Sequence, residues 1–176
     1  MYRIRLDRKN SALLVGFKDI IINNPEDFLN RIKSSFDSLT IQVIDANFIA
    51  GFKHLKMIIQ QSWTAFKLGV AYNKKMDMEL ISRISCDSQI SRSLRTVGMK
   101  KGKIDLVIIS IGDRNNLLSF MNFIKKLGPI SKKPLQLNAH KRDFLMRHHG
   151  VSNEQIKATT LNNKLAVILA EKANLL

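Results

Sequence analysis

The chain has 176 residues, a size that fits one domain able to bury a real core. Its 29 Lys+Arg against 14 Asp+Glu give a net charge of +15, while 45% hydrophobic residues argue against wholesale disorder. No apolar run approaches the roughly 20 residues needed to cross a bilayer, no apolar signal core follows the first charges, and the lone Cys86 allows neither an internal disulfide nor a zinc cluster. These readings lead to the expectation of a cytoplasmic protein with no membrane role.

In chain order, Ala12–Phe17 reads as a short strand. Asn24 followed by Pro25, Glu26 and Asp27 is a helix start, with Phe28, Leu29, Ile32 and Phe36 turned inward. Thr40–Ile44 is a second strand. A helix from Gly51 to about Tyr72 follows, its core stripe made of Phe52, Leu55, Ile59, Ser62, Phe66 and Val70. Asp77 is expected to cap a shorter helix through Met78, Ile81 and Ile84. Asp87 or Ser88 caps another, with Ile90, Leu94 and Val97 on one stripe and Gly98 as its stop. Ile104–Ile111 is nearly all apolar, which predicts a central strand covered on both faces. Asp113 opens a helix bearing Leu117, Phe120, Met121 and Ile124, ended by Gly128-Pro129, and Ser131–Pro134 reads as a basic loop. Helices near Lys141–His149 and from Ser152, where Gln155 completes a capping box, precede a last one through Leu161, Leu165, Ile168 and Leu169. The expected class is mixed α/β: residues 1–176 as one domain, a single small mixed sheet surrounded by helices.

The charge points to a phosphate-rich partner, nucleic acid above all. Arg92 to Arg147 holds thirteen Lys/Arg against Asp105, Asp113 and Asp143. On the Gly51 helix, Lys53, Lys56, Gln60 and Lys67 share an arc with Trp63 at its border. Lysines beside a ring are how single-stranded nucleic acid is held, although a core Trp63 beside solvated lysines gives the same pattern. Arg83, Arg92, Lys100 and Lys101 complete the set of candidate phosphate contacts. Glycine-rich phosphate loops, dinucleotide fingerprints and zinc-protease motifs are absent, so no cofactor, metal or small-molecule substrate is expected. Cys86 has no histidine close in sequence and reads as a small structural residue. His140, His148 and His149 sit among basic residues and read as solvated or phosphate-facing imidazoles, and the acids form no catalytic couple, so the chain reads as a non-enzyme.

Gln42, Asp45-Ala46, Ile49, His54-Leu55, Ala65-Phe66, Glu79, Ser85, Gln89-Ile90 and Gly98, supported by Phe144-Leu145, Gly150-Val151-Ser152 and Leu165 onward, resemble the small kinase-binding subunit of the KEOPS/EKC complex, the PRPK-binding-protein (TPRKB-like) family. The resemblance runs from about Val15 to the end. It implies a non-catalytic regulatory subunit that docks on a PRPK-type kinase/ATPase and helps recruit tRNA, through its 3′ CCA end, for threonylcarbamoyladenosine synthesis beside the anticodon. It also implies a mixed sheet with helices around it. By position, His54, Glu79 and Gln89-Ile90 match family residues, which adds His54 and Gln89 to the RNA candidates. Ser88 stands where the family usually has arginine, and the glycine the family usually has near Cys86 is missing here. The kinase contact is expected on Ile90, Leu94 and Val97. A free-standing RNA-binding module is the alternative, and an RNA-processing enzyme built on Asp143, His148 and His149 is a third reading.

Overall fold

Residues 106–112 are buried without interruption, and this run forms the middle of an internal strand. The computed structural model describes residues 1–176, which separate into two compact units: Met1–Ala46 with Gly98–Pro134, and Asn47–Val97 with Leu135–Leu176.

The first unit holds one sheet. Its strands are β1 (Tyr2–Arg5), β2 (Asn10–Ile22), β3 (Thr40–Asp45), β4 (Gly102–Asp113) and β5 (Ile130–Ser131). The order is β1-β2-β4-β3, with β5 paired to β2, and every pairing is antiparallel. The three expected strands are all present and β4 is internal, as its apolar run predicts. β1 and β5 are additions that the sequence reading lacks. β1 alternates Arg with a single buried Ile4 and carries little apolar signal. β5 has two residues and replaces part of the expected basic loop, the rest of which is a 3-10 turn at Lys133–Leu135. Gly16 allows this close pairing, since a Cβ there would lie 2.6 Å from the Ser131 carbonyl oxygen. The ladder of β2 with β4 is bulged between Phe17 and Ile20, where Asp19 takes φ 54° and donates its N–H to Asp105 at 2.8 Å.

Two helices cover one sheet face. In α1 (Pro25–Ser34) the Asn24 side chain accepts the N–H groups of Glu26 and Asp27. In α5 (Arg114–Ile124) Asp113 does the same for Asn115 and Asn116. Ile32 of α1 and Leu117, Phe120 and Ile124 of α5 pack on Leu13, Val15, Phe17, Ile41, Val43, Leu106 and Ile108, the period-two face of β2, β3 and β4.

The second unit is helical: α2 (Phe52–Lys67), α3 (Met76–Ser85), α4 (Ile90–Val97), α6 (Ala139–His148), α7 (Asn153–Ala158) and α8 (Lys164–Ala173). Several expected boundaries move. α2 stops at Lys67, where Leu68 closes it with N–H bonds back to Thr64 and Phe66. Gly69 then turns at φ 70°, so Val70 and Tyr72 leave the stripe and are exposed. The buried stripe is His54, Leu55, Ile58, Ile59, Ser62 and Ala65, rotated from the expected arc so that Phe52 and Phe66 are only half-buried. α3 begins at Met76 rather than after Asp77, which lies in its first turn. Gly98 is no left-handed stop; it forms a bridge to Ile44 within the sheet unit. Leu161 lies before α8 and is exposed. The Ser152–Gln155 capping box of α7 is complete.

Candidate functional site

α3 is buried on nearly every side, including its polar residues Glu79, Ser82, Arg83 and Ser85. Buried polar groups need partners, and here they have them. Glu79 accepts from the Arg83 guanidinium at 2.7 Å, one helical turn away, and from the backbone and side chain of Asn73 at 2.8 and 3.1 Å. Arg83 also donates to the Ala173 carbonyl at 3.3 Å and to the Asn174 side chain at 2.8 Å, tying α3 to the end of α8. Burial pushes the Glu79 carboxyl up, but the bonds from Asn73 and Arg83 outweigh it and hold it below the usual carboxylate range. Arg83 is therefore an internal strut, and its expected role as a phosphate contact is withdrawn: every direction of its fork that these bonds occupy points inward. Asn73 and Asn174, which sequence reasoning missed, lie outside helices and had no periodicity to reveal them.

The turn from α3 into α4 is equally specified. Cys86 closes α3 at φ 53°, a conformation that favours glycine. Its thiol is pushed up to about 11 by burial, consistent with a structural residue. Ser85 donates to Ser93 at 2.8 Å, and Ser93 donates to the Asp87 carbonyl at 2.9 Å. Asp87 accepts the Gln89 N–H at 2.9 Å and both Nε and Nη2 of Arg92. The Arg92 side chain is nevertheless 59% exposed.

Locked in this way, α4 buries only Ser93 and Val97. Ile90 and Leu94 are each 39% exposed, whereas Val97 is 0% exposed. The stripe is split: its first two members face outward, and the third belongs to the core, so Val97 leaves the expected partner surface. Gln89, Ser91, Arg92 and Arg95 surround the outward pair and are exposed.

On α2, Lys53, Lys56, Gln60 and Lys67 are exposed along one side, as the sequence predicts. Lys53 reaches the Asn162 carbonyl at 3.5 Å, and Lys67 lies 5.6 Å from the centre of the half-buried Trp63 ring. His54 points the other way. It is fully buried, its Nδ1 accepts the Ala50 N–H at 3.3 Å, and its Nε2 has no hydrogen-bond partner. Burial, helped by the charges of His149 and Lys141, depresses it to about 3. His54 is a neutral core residue, out of reach of RNA. In the sheet unit, Lys100 and Lys101 are exposed, with Lys100 3.9 Å from Asp45.

Two of the remaining histidines lie together, the ring centres of His148 and His149 being 4.7 Å apart. His148 stacks on Phe144 and meets Phe48 edge-on, and His149 is held down to about 4 by burial and by the neighbouring His148 and Lys172. His140 is exposed. No cluster of three or more His, Cys, Asp or Glu side chains could hold a metal ion, and no helix is long and apolar enough to cross a membrane.

The sequence model of the family described as Kinase binding protein CGI-121 matches residues 17–169. Among curated proteins none matches the chain.

Proposed function

Since the chain belongs to the CGI-121 family of kinase-binding proteins, we propose that it is the small, non-catalytic subunit of a KEOPS/EKC-type assembly in the cytoplasm, where it docks on and modulates a PRPK-type kinase/ATPase. In this reading it also recruits tRNA through the 3′ CCA end for threonylcarbamoyladenosine synthesis. The observation that carries the kinase contact is the outward pair Ile90 and Leu94 on a helix whose own burial is limited to Ser93 and Val97. Interfaces concentrate their energy in a few such anchors. The exposed row Lys53, Lys56 and Lys67 beside Trp63 supports the RNA contact, with phosphates taken by lysines and a ring available for an end base.

The test is co-elution with the PRPK-type kinase from the same source. Leu94→Glu puts an unpaired charge where an anchor would be desolvated, so it abolishes co-elution while circular dichroism and melting stay near wild type. A variant that folds and still co-elutes moves the interface elsewhere. For RNA, a tRNA lacking CCA binds more weakly than the full-length molecule. Equal affinities, or binding indifferent to salt, refute that part of the reading.

A further inference from the structure

A second basic site lies in the sheet unit, in residues that mostly precede those matched by the family. The strand β1 alternates, so Ile4 is buried on one face, while Arg3 and Arg5, paired with Leu13 and Ser11, are exposed at the edge of the face that α1 and α5 cover. The turn to β2 adds Arg8 and Lys9, and Arg114, the first residue of α5, comes from about a hundred positions away. These five cations and the single carboxylate of Asp7 line one open cavity of about 460 Å³. That carboxylate is engaged in forming the turn: it accepts the Lys9 N–H at 2.8 Å, the Asn10 N–H at 2.7 Å and the Asn10 side chain. Arg3 bonds the Ser11 hydroxyl at 3.3 Å and Arg5 the Asp7 carbonyl at 3.2 Å, which leaves both guanidinium charges uncompensated by these bonds.

From this we propose that the β1–β2 hairpin with Arg114 is a binding site for the phosphodiester backbone of tRNA; the proposal rests on the tRNA reading above and adds a site to it. Charged residues on an edge strand do protect it from pairing with other sheets. That role needs neither the two cations of the turn nor a helix residue converging on the same concavity. Gathering like charges is costly, and an incoming polyanion relieves the cost while releasing its own counterions. The lining of this cavity contains no aromatic or apolar side chain, and the apolar Leu13, Leu117, Leu118 and Met121 belong to a separate cavity that shares only Arg3 and Arg114 with it. The lining therefore lacks a stacking platform, so the contact is to phosphates and is blind to sequence. Arg3 and Arg5 stand two strand residues apart, roughly 7 Å along the chain, a spacing that lets each take a different phosphate of an extended backbone.

The test uses the full chain and a tRNA transcript, with affinity measured across a salt series. Arg3→Gln/Arg5→Gln/Arg8→Gln lowers the slope of log affinity against log salt by roughly two to three, about one per contact, and lowers it equally for an unrelated RNA of the same length. Arg8→Gln alone, in an exposed turn, lowers it by about one and guards against misfolding of the triple variant. Lys53→Gln/Lys56→Gln/Lys67→Gln is run in parallel. If this α2 variant loses slope and the hairpin variants do not, the hairpin site is overturned and the tRNA reading stands. If the wild-type chain binds no tRNA at all, that reading falls and takes the hairpin site with it. Polyglutamate that competes for the hairpin as well as RNA of equal charge overturns the proposal in favour of an acidic protein.

Discussion

Replacing Arg83 by methionine isolates the polar strut inside the helical unit. The substitution keeps most of the aliphatic stem but removes the guanidinium that reaches Glu79 at 2.7 Å and Asn174 at 2.8 Å. Glu79 is fully buried, so its carboxylate is then held by Asn73 alone. Breaking a buried ion pair from one side costs about 3–5 kcal/mol, against about 0–1 kcal/mol for an exposed pair. The larger figure applies here, because the pair's side chains are only 11% and 0% exposed. The deficit also depends on pH. In the wild type, Glu79 is held below its usual range, so its contribution is complete above the unfolded value of about 4.3 and is lost only as pH falls through the lower folded value. In the variant, burial acts without the arginine to oppose it, Glu79 takes up its proton at higher pH, and the deficit shrinks on acidification. Urea denaturation followed by circular dichroism at pH 7 and near pH 5 measures both quantities. The histidine contributions are common to the two proteins and cancel in the difference. A deficit under about 1 kcal/mol, or one of equal size at both pH values, refutes the buried-strut account. The folded variant also keeps the wild-type salt slope for tRNA, since the guanidinium faces α8 rather than solvent.

His54 makes the wild type acid-sensitive. With the folded group near 3 and the unfolded one near 6.5, its contribution is complete above 6.5 and declines by about 1.4 kcal/mol per pH unit below it, with His149 acting the same way down to about 4. His54→Leu flattens melting temperature against pH between about 7 and 5.5 relative to wild type, and an unchanged profile refutes the assignment of a buried neutral imidazole. Cys86, pushed up to about 11, carries roughly a hundredfold less thiolate than a free cysteine, so a disulfide reagent labels the native protein about a hundredfold more slowly than the urea-unfolded chain. Similar rates in both states would place the thiol at the surface.

Local chemistry fixed much of the fold before any tertiary information. The Asn24, Asp113 and Ser152 starts were legible because a cap is a bond between neighbours in sequence. β4 was legible because strands buried on both faces read as continuous apolar runs. The net charge of +15 and the lysine row of α2 were likewise plain from composition and helical period. What periodicity could not give was the direction of each stripe. Helical spacing places Ile90, Leu94 and Val97 on one side, yet only packing decides that Val97 is buried and the other two are not. The same holds for Arg83, whose chemistry suits a phosphate equally well. Its fate was settled by Glu79 one turn away and by Asn174 from the far end of the chain. β1, β5 and the converging hairpin arginines also escaped notice. β1 pairs locally with β2 but carries too little apolar signal to stand out, whereas the β5 pairing and the approach of Arg114 join residues about a hundred positions apart, and no local pattern encodes which distant backbone will lie alongside.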